Sequence, residues 1–327
     1  RRSGRGNRLG KTSRAVRRRG LGESPPLRLV VPVMAVASNQ IGNHPQSIAG
    51  RTCMITGATS GIGRASAIEL ARMGAKLTLV CRSRERGEEL LGAIKRGGNA
   101  DTVLMIADLE SQAQIRKLAA DFLATRSPLH VLINNAGVFN MKRSVTDDGI
   151  ETVFAVNHLA YFMLTMLLLD RIKESAPARI INIASDLHQR ATIKFDDLGG
   201  ERSYGGMSSY GQSKLANILF TYELSRRLAG TGVTVNCVHP GGVATNLAKN
   251  NGALINAAWK AIGLFMKSPE SGARTQVYLA SSPEVETVTG KYFIDSREAR
   301  SSAESHDEGI GRRLWEVSAR MTGVAAT

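Results

Sequence analysis

From residue 51 onward the chain alternates short apolar or β-branched runs with longer stretches of helical periodicity, and few folds accept that pattern. Strand candidates are Thr52–Thr56, Lys76–Cys81, Thr102–Ile106, His130–Asn134, Arg179–Ala184, Val233–Val238 and Lys291–Ile294. Several are almost wholly apolar, as burial on both faces of a parallel sheet requires. Helical patterns include Gly63–Met73, Ser111–Thr125, Thr146–Arg171 and Ser208–Leu228. Strand, helix and strand repeated in this way predict right-handed crossovers with helices on both faces of one sheet. The expected fold class is α/β, a doubly wound parallel sheet in a single domain over residues 46–327. The stretches Gly199–Ser209 and Gly241–Ser268 interrupt the alternation as long loops, both after strand ends where ligands bind in open α/β sheets.

Charge is concentrated at one end. Of the formal +15, +9 comes from residues 1–33, where ten Arg or Lys face the single acid Glu23. Such a tail could bind nucleic acid or an anionic membrane. No aromatic residue interleaves its arginines, so no nucleic-acid partner is expected. Residues 1–45 are expected to be a basic extension outside the domain, disordered or absent from the mature protein, with Met34 as the working start. Its Arg- and Ser-containing, nearly acid-free composition keeps organelle targeting open beside a cytoplasmic location. No stretch reaches the roughly 18 apolar residues needed to span a bilayer, so no integral membrane span is expected. Leu159–Leu169 reads as a buried helix instead. Cys53, Cys81 and Cys237 each fall in an apolar run, without paired spacing or neighbouring histidines, and read as buried free thiols suited to a reducing cytoplasm. No metal site is expected.

The first strand runs into Thr56-Gly57-Ala58-Thr59-Ser60-Gly61-Ile62-Gly63, followed by a helix from Arg64. Glycines at such a turn let the backbone bend sharply and approach a pyrophosphate, with free N–H groups of the helix start facing its charge. A lone glycine cluster is weak evidence, but its place between strand and helix points to a dinucleotide. A free ribose 2′-hydroxyl calls for an acid at the end of the second strand, whereas a 2′-phosphate calls for positive charge. Here that strand ends Val80-Cys81-Arg82-Ser83-Arg84, without a carboxylate. Arg82 can meet a phosphate with two parallel donors, and Arg64 is a second candidate, so the expected cofactor is NADP(H).

Tyr210-Gly211-Gln212-Ser213-Lys214 places a phenol and an ammonium four residues apart, on one face of a helix. A tyrosine ordinarily titrates near pH 10, and acid/base work near neutrality requires a positive charge that favours its phenolate. Ser185, just past the strand Arg179–Ala184, lies where it could meet Tyr210 and hold a substrate oxygen. Its alternative role is a helix or turn cap.

These residues together resemble the motif set of the short-chain dehydrogenase/reductases. The match comprises Thr56-Gly57-x3-Gly61-Ile62-Gly63, Asn134-Asn135-Ala136-Gly137, Asn157, Ser185, Tyr210-x3-Lys214 and Pro240-Gly241. Within the family, Arg179-Ile-Ile-Asn-Ile-Ala-Ser185, Tyr210-x-x-Ser213-Lys214-Leu-Ala-Asn217 and Val238-His239-Pro240-Gly241 are most similar to the retinol dehydrogenase and WW-domain oxidoreductase group. The resemblance implies a Rossmann-type sheet of about seven strands. It implies Tyr210 as proton donor and acceptor, Lys214 on the nicotinamide ribose, Ser185 on the substrate oxygen and Asn157 holding a relay water. It also implies Asp108 and Leu109 beside the adenine, Gly57, Thr59, Ser60, Gly61, Ile62, Gly63, Asn135 and Gly137 along the cofactor, and Thr245 at the carboxamide. Ala184 departs from relatives that carry a second serine there.

The expected function is NADP(H)-dependent interconversion of an alcohol and an aldehyde or ketone by direct hydride transfer. Apolar residues such as Leu254, Trp259 and Phe265 in the loop after Val243 could close over a lipophilic small-molecule substrate, or could instead pack a helix on the sheet. The rival class is a non-catalytic dinucleotide sensor, which has no need of a Tyr acid/base. A homodimer through Thr146–Arg171 is a further expectation, beside the equally open reading of that helix as core.

Overall fold

The computed structural model describes residues 48–242 and 267–325. The basic extension, Thr245 and the apolar loop after Val243 lie outside the described residues.

One sheet of eight strands carries the fold, in the order β3-β2-β1-β4-β5-β6-β7-β8. The strands are β1 (Thr52–Thr56), β2 (Lys76–Cys81), β3 (Thr102–Ile106), β4 (Val131–Asn134), β5 (Ala178–Ile183), β6 (Val233–His239), β7 (Lys291–Ile294) and β8 (Arg297–Ala299). All neighbouring pairs are parallel except β7 with β8. Seven strands match the sequence candidates within a residue at either end. The eighth closes a hairpin on Asp295 and Ser296, both at positive φ, a turn geometry usually signalled by glycine or asparagine.

The described helices are α1 (Gly61–Arg72), α2 (Arg84–Arg96), α3 (Gln112–Ala124), α4 (Thr152–Glu174), α5 (Gly206–Arg227), α6 (Pro269–Ser281) and α7 (Glu308–Thr322). Side chains of β1 alternate between two apolar layers. Cys53 and Ile55 pack with Leu70 of α1, Leu90 of α2 and Val277 of α6, whereas Met54 packs with Phe122 of α3, Phe162 of α4 and Phe220 of α5. This period of two, with both phases buried, is why the strands read as continuous apolar runs.

The helix predicted over Thr146–Arg171 starts later. Val145 bridges Glu151, and the Glu151 carboxylate accepts from the N–H groups of Val153 at 2.8 Å and Phe154 at 2.7 Å, capping α4. At 23 residues α4 is long and apolar enough to cross a bilayer by length and composition, which departs from the sequence expectation of no such stretch. Yet 94% of its most apolar window is buried inside the fold, so here it serves as a core helix. The three cysteines are free and buried as expected.

A ladder of buried amides sets α4 and α5 on the sheet. Asn134 Nδ2 donates to Asn182 Oδ1 and to Thr165 Oγ1 of α4, each at 2.9 Å. Asn182 Nδ2 donates to Thr221 Oγ1 of α5 at 3.0 Å. Polar pairs in an otherwise apolar layer specify one register, because a slipped one leaves them unsatisfied.

His158 of α4 lies fully buried between Asn217 of α5, at 3.3 Å, and Ser318 of α7, at 2.9 Å. Burial holds its imidazole neutral, down to about 4 from the usual 6.5. Between those values the unfolded chain takes up a proton that the folded chain refuses, so stability is full above pH 6.5 and declines toward pH 4. The whole loss is on the order of 3 kcal/mol. Urea unfolding at pH 7 and pH 5 should show a smaller decline in His158→Asn than in the native chain; equal declines would mean His158 does not titrate this way.

Candidate active site

The crossover order reverses beside β1, whose neighbours β2 and β4 lead to opposite sides, and a crevice opens at their carboxyl ends. Gly57 turns the chain there with φ of +66°. A Cβ on Gly57 would sit 2.8 Å from the Ala136 Cα, and one on Gly63 would sit 2.4 Å from the Gly57 carbonyl oxygen. Only glycine permits this close passage. Helix α1 starts at Gly61, its first turn has no acid, and the Ser60 side chain makes no cap hydrogen bond. The positive end of the helix is thus left for an external anion.

Thr56 and Asn135 fasten the turn to β4. Thr56 Oγ1 accepts from the N–H groups of Asn135 at 2.9 Å and Ala136 at 3.1 Å, and Asn135 Nδ2 donates to the Thr56 carbonyl at 2.8 Å. Asn135 Oδ1 accepts from Gln276 Nε2 of α6 at 3.2 Å, and Gln276 accepts from Ser66 of α1 at 2.8 Å. Sequence reasoning missed Ser66 and Gln276. Their signal is a polar side chain amid buried neighbours, Ala67 and Leu70 in one helix, Ala273 and Val277 in the other.

A cleft of about 510 Å³ runs from this turn across the strand ends. Gly57 and Thr59 through Gly63 form its floor; Arg82, Asp108, Leu109, Asn135 and Gly137 line its middle and far end; Ser185, Tyr210 and Lys214 line the other end. Arg64 is exposed on α1 and is not among the lining residues. Arg86, in the first turn of α2, lines the cleft together with Arg82. Arg82 pairs with Glu110 at 3.5 Å, both partly exposed. Burial raises the Glu110 carboxyl, Asp108 adds to the rise and Arg82 opposes it. Arg84 and Arg86 sit in the first turn of α2 on either side of Glu85, and Arg84 pairs with Glu88 at 3.6 Å.

At the other end, Tyr210 is reached through the first turn of α5 and is hydrogen-bonded to Ser185. Burial holds its phenol above the usual tyrosine range, and the Ser185 hydrogen bond opposes this. Lys214 Nζ stands 5.4 Å from the centre of the Tyr210 ring and 5.6 Å from that of Tyr161, and donates to the Ile183 carbonyl at 3.0 Å. Burial lowers the Lys214 ammonium to about 7. Desolvation thus opposes ionisation of both groups.

Ser185 fills the cap role and also lines the cleft beside Tyr210. Its Oγ caps the turn Asp186–Arg190 by accepting from the Leu187 N–H at 3.3 Å, and it also meets Tyr210. Its carbonyl accepts from His188 Nδ1 at 2.6 Å, and His188 Nε2 accepts from the Ser302 N–H at 3.1 Å, which fixes the tautomer. Asn157 does not line the cleft. It lies in a π-helical turn of α4, Ala155–Leu159, and is fully buried. Its side chain accepts from the Val138 N–H at 2.8 Å and donates to the Val138 carbonyl and to Ser213 Oγ, each at 3.0 Å. Among the described residues no group of three or more His, Cys, Asp or Glu side chains could hold a metal ion.

Comparison with known proteins follows the same lines. The family profile of the short chain dehydrogenases matches residues 51–255. Human retinol dehydrogenase 14 is 44% identical over 86% of this chain and 89% of its own length. Mouse retinol dehydrogenase 12 is 43% identical over 85% of this chain and 88% of its own. Among solved structures, an uncharacterized protein from Mycobacterium paratuberculosis superposes with a TM-score of 0.70 at 31% identity, covering 86% of this chain and 96% of that one. A short chain dehydrogenase from Burkholderia cenocepacia in complex with NADP gives a TM-score of 0.61 at 26% identity, covering 76% and 96%. The chain belongs to the short-chain dehydrogenase family of oxidoreductases, which bind a nicotinamide dinucleotide.

Proposed function

We propose that the chain is an NADP(H)-dependent oxidoreductase that interconverts a lipophilic alcohol and its aldehyde or ketone. The observation that carries this reading is one continuous cleft with a glycine turn and helix start at its centre, arginines at one end, and Tyr210, Ser185 and Lys214 at the other.

The residues fit a dinucleotide phosphate. The Gly57 and Gly63 cradle admits no Cβ, and the acid-free start of α1 suits a pyrophosphate. Arg82 and Arg86 would meet a 2′-phosphate, with Arg82 leaving Glu110 to do so. Asp108 and Leu109 would border the adenine, and Asn135 and Gly137 the path toward the nicotinamide. When bound, the cofactor supplies or accepts the hydride.

In the reducing direction Tyr210 gives its proton to the carbonyl oxygen, and the Ser185 hydroxyl holds the same oxygen by a hydrogen bond. A phenol kept protonated by burial is suited to that role. For alcohol oxidation the same phenol must ionise, which requires Lys214 to carry its charge beside it. Val138, Phe139, Val156, Leu187 and Met207 line the cleft near Tyr210 and favour an apolar substrate body. The relatives named retinol dehydrogenase act in their names on an alcohol of that kind, so a retinoid is the first substrate to try.

Turnover should appear as oxidation of NADPH in the presence of lipophilic aldehydes. Tyr210→Phe should bind NADPH nearly as the native chain does while kcat falls at least about a hundredfold; retained turnover would remove Tyr210 from proton transfer. Arg82→Ala should weaken NADPH binding by roughly ten- to a hundredfold and leave NADH nearly unchanged, as loss of charge-assisted hydrogen bonds to phosphate predicts. Fluorescence titration reads both, and an equal loss for NADH would place Arg82 away from the 2′-phosphate.

A further inference from the structure

Behind the cleft lies a chain of buried hydrogen bonds that the proposed reaction leaves unexplained. Asn217 Nδ2 donates to the Asn157 carbonyl at 2.8 Å and to the Ile183 carbonyl at 3.0 Å. Lys214 Nζ donates to that same Ile183 carbonyl, also at 3.0 Å. Both amide protons of Asn217 are therefore committed, and its Oδ1 is left as the acceptor facing His158 Nδ1 at 3.3 Å. With the ring proton on Nδ1, His158 Nε2 is an acceptor, and the Ser318 hydroxyl 2.9 Å away must donate to it.

The bonds run in one direction, from Ser318 of α7 through His158 of α4 and Asn217 of α5 to two backbone carbonyls at the active site. Ser318, His158, Asn217 and Asn157 are each 0% exposed. Water cannot substitute for any member, so each proton is placed by its neighbours. The two carbonyls sit at consequential points. Ile183 ends β5 two residues before Ser185 and receives the Lys214 ammonium, and Asn157 lies in the π-helical turn whose side chain grips Val138 and Ser213. Ser213 in turn donates to the Tyr210 carbonyl at 2.7 Å.

We infer that Asn217 and His158 are positioning residues of the active site, holding the Ile183 and Asn157 carbonyls so that Lys214, Ser185 and Tyr210 keep their mutual geometry. The inference rests on the oxidoreductase reading of the cleft. Neither residue lines the cleft itself; Asn217 reaches it through the Ile183 and Asn157 carbonyls, and His158 through Asn217.

A role confined to packing α7 on the core predicts something different, and substitutions at His158 separate the two. Asn at 158 can supply a donor where Nδ1 stood, while the bond to Ser318 is lost; Leu supplies neither. Both variants should unfold at lower temperature. His158→Leu and Asn217→Leu should lower kcat by roughly ten- to a hundredfold, the scale of a displaced reacting group, with KM and NADPH affinity little changed. His158→Asn should recover most of the lost kcat despite its reduced stability. Asn217→Thr, with one donor for two carbonyls, serves where a Leu variant does not fold, and should fall between native and Leu in kcat.

A second readout is independent of turnover: the rate at which an amine-reactive anhydride modifies Lys214, followed by mass spectrometry. Release from Ile183 should speed it several-fold in the Leu variants and leave it at the native rate in His158→Asn. If His158→Asn is as slow in turnover as His158→Leu, or labels as fast, the inference is overturned. A native chain that turns over no carbonyl would defeat the oxidoreductase reading alone, and the labelling rates would still decide the positioning role.

Discussion

Parallel pairing of β1 with β4 and of β4 with β5 brings together side chains that are far apart in sequence. In that register Ile55 stands beside Ile133, and Asn134 beside Asn182. The strands therefore end at nearly one level, and the turns after Thr56, Asn134 and Ile183 emerge on the same edge. Thr56 Oγ1 converts that alignment into a joint by accepting two amides of the β4 turn. A one-residue slip would break this joint and the buried amide ladder through Asn182 to Thr221, while exchanging the two apolar faces of a strand. Cleft geometry and core packing thus depend on the same register.

The two ends of the cleft face opposite electrostatic problems. At the arginine end, Arg82, Arg84 and Arg86 gather around the start of α2 with Glu85, Glu88 and Glu110 among them. At the tyrosine end, burial opposes ionisation of both groups, raising the Tyr210 phenol and bringing the Lys214 ammonium down to about 7. That environment favours a tyrosine that holds its proton until a polarised oxygen arrives. The apolar walls of the cleft near Tyr210 produce the desolvation.

Features encoded by local spacing were legible in the sequence. Strand runs buried on both faces, a glycine turn between strand and helix, and Tyr210 with Lys214 one helical turn apart all follow from periodicity and short motifs. What could not be read depends on tertiary placement. Arg82 was the first candidate for the 2′-phosphate and Arg64 the second; Arg64 is exposed on α1 and Arg86 of α2 joins Arg82 in the cleft lining, which neighbouring sequence does not reveal. Asn157 carries a family signature, yet nothing in its neighbours reveals that its side chain folds back onto Val138. Helices α2, α6 and α7 were not among the sequence candidates; α2 buries only Gly87, Leu90 and Ile94 and is otherwise polar. The short strand β8 follows a turn of Asp and Ser at positive φ, positions where a sequence reader looks for glycine. His158, Asn217 and Ser318 are separated widely in sequence, and their hydrogen bonds exist only once three helices have packed.

If the cleft serves as proposed, it moves a hydride between a nicotinamide and a carbonyl carbon. This transfer is tested most directly by incubating the full chain with NADPH carrying two deuterium atoms at C4 of the nicotinamide and a lipophilic aldehyde, then locating the label in the product by mass spectrometry. One deuterium on the carbinol carbon of each alcohol molecule formed is the predicted result. Alcohol formed without that deuterium, or cofactor bound with no alcohol formed from any member of an aldehyde and ketone panel, would contradict it.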